Sequence, residues 1–295
     1  MSVNRIFWAT LAICFGLLWL LSNLGILPSA IWYQAWRLWP IIIILWGVSI
    51  LFLKSGFKSF WFLVLSIIII GAAFSAFALI YRNQSIVQKS TEIHETISEG
   101  VKSGRLFFAL GAVNFSLSGG DDCLLCGQSE TISGVEISNS TDAKIQTVRL
   151  NQLPFNSFMI GPNYSNRIDL KTRSDLPVRV DIDSGASKID LNLKAVMLES
   201  LDIDSGATSS IIVLGEKVNV VDVNISCGAS NFQIQIPEGF AVKVVNKSGL
   251  SGNNFSAFGL DKEGETWLSR DYKLNDKVVN INFESGVSNL ELKRY

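Results

Sequence analysis

One pattern occurs four times between Val178 and Lys293, and it limits what this chain can fold into more than any other feature. Val178–Leu193 reads VRVDIDSGASKIDLNL, and its copies are Leu201–Leu214 (LDIDSGATSSIIVL), Val221–Ile236 (VDVNISCGASNFQIQI) and Val279–Lys293 (VNINFESGVSNLELK). In each copy an alternating apolar and polar run enters a Ser-Gly or Cys-Gly step, passes Ala or Val and then Ser or Thr, and leaves as a second alternating run. Period two puts Val178, Val180 and Ile182 on one face and Arg179, Asp181 and Asp183 on the other, as in a strand with one buried side. The expected unit is strand, tight turn, strand. Gly185, Gly206, Gly228 and Gly286 would supply a backbone conformation forbidden to a side chain, and the small residue after each would leave room for a neighbouring copy. One copy cannot bury its own apolar face. Copies spaced by 21 and 22 residues (Gly185 to Gly206, Gly206 to Gly228) can stack and bury a continuous one, which is how solenoids hold together. Leu110–Leu117, around Gly111, reads as a degenerate fifth copy, Val242–Asn254 as a further strand and glycine turn, and the last copy as the cap of the stack.

The chain divides sharply in composition. From Met1 to Tyr81 there is no Asp, Glu or His, only four basic residues (Arg5, Arg37, Lys54, Lys58), and seven of the eight tryptophans. The remainder holds 21 basic against 26 acidic residues, a mildly acidic part that lacks the basic face nucleic acid requires. The expected organisation is an α-helical membrane region over 1–81, with spans at 6–24, 41–53 and 60–80, a linker over 82–103, and an all-β domain over 104–295 forming a stacked-strand, β-solenoid-like rack. Ile6–Leu24 is long enough to cross a bilayer. Its thin positive flank, the lack of a cleavage site and the apolar spans that follow favour a retained helix over a signal peptide. Trp and Tyr crowd the connector before Pro40, as they do at headgroup level. Arg5, Lys54 and Lys58 favour the cytoplasm for their segments, which places the β-domain outside a multi-pass cell-membrane protein.

Chemistry is harder to find. Cys123 and Cys126 form a CxxC that reads as a local disulfide pinning a turn, or as plain thiols. Zinc takes four ligands and the sequence shows neither a second pair nor a nearby histidine, and redox CxxC motifs open helices in βαβ settings. Cys227 stands in the serine position of its repeat, and Cys14 in an apolar helix. The one histidine, His94, falls in the linker and reads as a solvated residue. The repeated aspartates (Asp181, Asp183, Asp202, Asp204, Asp222) read as the wet side of the strands rather than a calcium site, which needs six or more converging oxygens. No Ser/His/Asp set and no phosphate loop can be assembled. The expectation is therefore a protein that is not an enzyme and has no cofactor.

LLSNLGIL followed by WRLWPIIIILWGVSILF resembles the LiaI/LiaF-like transmembrane region of bacterial envelope-stress proteins. SGRLFFALGAVNFSLSGGDD together with the SGAS steps resembles the toast rack domain, related to the cell wall-active antibiotics response proteins. The resemblance implies stacked single strands in the soluble half. It also implies a membrane-anchored protein, in contact with lipid, that senses or modulates an envelope stress response beside a sensor kinase or another envelope protein. A structural or adhesive surface solenoid without signalling is the alternative. The chain departs from the resemblance in having three recognisable spans and in its CxxC.

Overall fold

The computed structural model describes residues 89–154 and 166–295. The expected spans 6–24, 41–53 and 60–80 lie outside them, and no helix among the described residues is long and apolar enough to cross a membrane. In chain order the strands are β1 (Lys89–Glu95), β2 (Ser103–Asp121), β3 (Leu125–Thr131), β4 (Val135–Asp142), β5 (Ile145–Gln152), β6 (Arg167–Arg173), β7 (Pro177–Asn192), β8 (Met197–Val213), β9 (Val220–Ile236), β10 (Ala241–Asn253), β11 (Leu260–Glu263), β12 (Thr266–Ser269) and β13 (Val278–Arg294). One short helix, α1 (Phe255–Phe258), precedes β11.

The recurrent unit is one unbroken strand rather than a strand, turn and strand. In β7, Val178, Val180, Ile182 and Ser184 are buried, Gly185 and Ala186 are both exposed, and burial resumes at Ile189 and Leu191. Alternation thus skips a beat at Gly-Ala, and two successive residues point outward at a corner. The same skip occurs in β8, β9 and β13. Each strand doubles back at that corner. β7 and β8 pair in parallel from Pro177↔Met197 to Asn192↔Val213, yet only residues 193–196 join them. Such a link reaches at most about 18 Å, whereas a straight 16-residue strand runs about 50 Å. The two ends of β7 must therefore lie near each other. Rings confirm the geometry: Phe108 and Phe115, seven residues apart on β2, have centroids 4.8 Å apart. Phe232, after the corner of β9, meets Phe283, before the corner of β13, edge-on at 5.8 Å.

Stacking follows the order β2-β7-β8-β9-β13-β10, all parallel and in register through the corner, with one register shift between β7 and β8 at Val178/Arg179. Gly111, Gly185, Gly206, Gly228, Gly286 and Gly249 consequently form one line along the outer corner. None of these six is among the glycines with positive φ, so the expected forbidden backbone conformation is not the reason for them. At Gly206, Gly228 and Gly286 the reason is close approach. A Cβ on Gly206 would stand 2.8 Å from the Gly185 carbonyl oxygen, one on Gly228 2.7 Å from that of Gly206, and one on Gly286 2.9 Å from that of Gly228. Between the two halves of each strand lies a continuous core that includes Leu106, Val180, Ile203, Val223, Ile281 and Leu292.

Two further expectations are corrected. The last copy does not cap the stack: β13 slots between β9 and β10, and the far end is closed by β12 and β11, with α1 burying Phe255 against Trp267. The stretch 82–103 is not a linker throughout. Residues 89–95 form β1, antiparallel to β3 over its whole length, because Ile93 enters the core at 1% exposure. The chain then crosses to the other layer, where the Gln146 amide receives Ser98 N–H at 2.8 Å and donates to the Thr96 carbonyl at 2.9 Å. Beyond β2 the two layers separate. Its first half continues into β5 and β4, its second into β6, β3 and β1.

Candidate functional site

Among the described residues, two places gather side chains capable of recognition or chemistry. The first is the outer face of the strand halves that precede the corner. Register aligns Asp181, Asp202, Asn224 and Asn282 in one row, and Asp183, Asp204, Ser226 and Glu284 in the next. These rows line a groove of about 530 Å³ that also touches Phe107, Val245 and Lys247. Like charges directly opposite one another destabilise a sheet, and the first row is relieved by neighbours. Arg105 donates to Asp181 at 2.9 Å, Asn224 donates to Asp202 at 2.7 Å, and Asn282 donates to Asn224 at 2.8 Å. The aspartates do face solvent, as alternation indicates. Alternation did not show that stacking assembles them into a concave acidic surface, because that depends on registers between strands.

The inner side of the corner carries a second pair of rows. Ser184, Ser205, Cys227, Ser285 and Ser248 align in register, as do Ser187, Thr208, Ser230, Ser288 and Ser251. Hydroxyls bridge the rows, Ser187 to Ser184 at 2.9 Å and Ser285 with Ser288 at 2.6 Å. Cys227 occupies a serine place in this spine, donating its thiol to the Glu284 carbonyl at 3.8 Å. Burial pushes that thiol above its ordinary pKa, so it stays a protonated packing group at neutral pH.

The other place is the CxxC. Cys123 and Cys126 are joined as a disulfide with Cα atoms 6.0 Å apart, and both are buried. His94, expected to be solvated and remote, lies directly opposite Cys126 in the β1–β3 ladder, its Nδ1 3.1 Å from Cys126 Sγ. Only the alternation in KSTEIHE, with Ile93 as its single strongly apolar residue, could have signalled a strand that carries His94 there. The site is held on several sides. Leu124, between the cysteines, donates its N–H to the Glu95 carbonyl at 2.9 Å, and its own carbonyl accepts from the Thr172 hydroxyl at 2.7 Å. Gly127 follows at φ +148°, and a Cβ there would stand 2.1 Å from the Asp169 carbonyl oxygen. Only glycine fits.

Doubled-over strands stacked in register define a β-rack. The chain belongs to the toast rack family: residues 82–235 match the N-terminal domain of toast_rack, DUF2154. Residues 6–51 match the LiaI-LiaF-like transmembrane region, which makes the protein membrane-associated. The family match ends at Gln235, so β13 and β10 lie beyond it while completing the same sheet. Among solved structures, a candidate cell adhesion protein from Clostridium sporogenes ATCC 15579 is similar at 20% identity and a TM-score of 0.63, covering 70% of this chain and 100% of its own. That likeness concerns the fold alone. A candidate lipid-binding protein from Parabacteroides distasonis ATCC 8503, at 9% identity and covering 70% of this chain and 96% of its own, has a TM-score of 0.20 and carries no argument. No curated protein matches the sequence.

Proposed function

We propose that this is a non-enzymatic, multi-pass membrane protein whose β-rack lies outside the cytoplasm and modulates an envelope stress response by binding a membrane partner, such as a sensor kinase. The observation that supports it most is the acidic groove. A concave row of carboxylates and amides on a rigid stack, tethered to a membrane segment, is suited to recognising a basic, extended stretch of another protein.

The test is photo-crosslinking in native membranes from a probe placed at Asn282, within the groove. The expected result is one discrete envelope protein crosslinked, with the adduct lost when Asp202 and Asp204 are both changed to Asn. Absence of any such adduct under envelope stress would count against the reading. A second reading is a structural or adhesive surface rack; the Clostridium protein that shares the fold is described as a candidate cell adhesion protein. This reading predicts that deletion weakens the envelope or surface attachment while stress-responsive transcription stays unchanged.

A further inference from the structure

His94, Cys123 and Cys126 present one nitrogen and two sulfurs that all lie within 4.8 Å of one another. We propose that, once the Cys123–Cys126 disulfide is reduced, these three side chains bind a thiophilic divalent cation of the zinc class, leaving one coordination position open. Three protein ligands plus an exchangeable fourth is a known zinc arrangement, with Zn–S near 2.3 Å and Zn–N near 2.0 Å. Around such an ion the ligand atoms stand about 3.6–3.8 Å from each other, so the present cluster needs only small side-chain rotations.

The backbone holds these residues beside one another by restraints other than the disulfide. His94 and Cys126 are fixed by ladder register, Leu124 by hydrogen bonds on both its N–H and its carbonyl, and Gly127 by the absence of room for any side chain. None of these restraints depends on the sulfur–sulfur bond.

Electrons and protons balance as follows. A dithiol reductant gives two electrons and two protons to the disulfide, becoming a disulfide itself and leaving Cys123 and Cys126 as thiols. The cation then displaces both thiol protons. Two thiolates, a neutral imidazole and a divalent ion sum to zero charge, which suits cysteines that are 3% and 8% exposed better than two bare thiolates would. His94 is exposed, so the cluster borders solvent on that side.

The experiment uses the full-length protein in detergent with Cys14→Ser and Cys227→Ser, the latter restoring the serine of the other copies. It is reduced with a phosphine, desalted under nitrogen and titrated with Co²⁺. Reduced protein should take up one equivalent, with thiolate-to-cobalt absorption in the near ultraviolet and tetrahedral bands in the visible, both bleached by one equivalent of Zn²⁺. Oxidised protein should show neither. His94→Ala should weaken Co²⁺ binding at least tenfold and shift the visible bands, and His94→Gln, which keeps a polar group over Cys126, should do the same. Three results would overturn the proposal: thiols that resist reduction in the folded protein, no stoichiometric uptake after reduction, or unchanged affinity in a folded His94 variant.

Discussion

Gly206→Val is expected to destabilise the β-rack by about 3 kcal/mol or more, a fall in melting temperature of about 6–12 °C for a domain of this size. The same is expected of Gly228→Val. The cause is contact: the first added carbon would already stand 2.8 Å from the Gly185 carbonyl oxygen at position 206, and 2.7 Å from that of Gly206 at position 228. Because the neighbour is backbone held in register on both sides, it cannot step aside as a flexible side chain would. Gly185 provides the internal contrast. A Cβ there meets the Gly111 carbonyl oxygen at 3.5 Å, ordinary van der Waals distance, so Gly185→Ala should change stability by less than about 1 kcal/mol. Thermal unfolding followed by circular dichroism measures all three variants. Equal effects at 185 and 206 would mean that close stacking does not dictate the glycines.

Removing residues 278–295 should have the larger effect. β13 sits inside the stack, pairing with β9 from Val278↔Val220 to Arg294↔Ile236, and with β10 from Ala241↔Val278 to Asn253↔Leu290. It also brings Val279, Ile281, Phe283, Leu290 and Leu292 into the core, all at 1% exposure or less. At about 1.5–3 kcal/mol for each buried side chain, the loss is comparable to the whole stability of a typical domain. The truncated chain is expected to lose cooperative unfolding, and residues 241–277 should become susceptible to limited proteolysis. A synthetic peptide covering 276–295 should restore protection by re-entering the slot. Wild-type protease resistance in the truncated protein would show that β10 docks on β9 without β13.

What could be read from the chain depended on how local the signal was. Period-two alternation is a property of neighbouring residues, so strands β7, β8, β9 and β13, their shared core face and the fifth copy around Gly111 were legible. The corner was misread because Ser-Gly-Ala-Ser serves equally for a tight turn and for a doubled strand. Parallel pairing between neighbouring copies, carried straight through the corner, decides between them. The position of β13 was illegible for a related reason: its copy of the motif would fit beside β9 or at the end of the stack, and the choice is made by β10 pairing from the other side. His94 was missed because β1 contributes one strongly apolar side chain, too little to mark a strand, while the ladder with β3 that carries His94 to Cys126 joins residues 32 apart in sequence. The acidic residues were placed correctly on the solvent face. Their convergence into a groove required registers that no single copy of the motif contains.

The doubling-back of each strand underlies the glycine line, the enclosed core and the groove alike, and one distance tests it. Spin labels at Glu199→Cys and Ile211→Cys, in a Cys14→Ser, Cys227→Ser background with the Cys123–Cys126 disulfide intact, flank the corner of β8 at Gly206. If the strand folds back, its two halves form layers about 10 Å apart, and pulsed electron paramagnetic resonance should give a distance of about 20–25 Å between labels that each reach outward by several ångströms. A straight strand would separate them by about 40 Å, and a distribution centred there would contradict the rack.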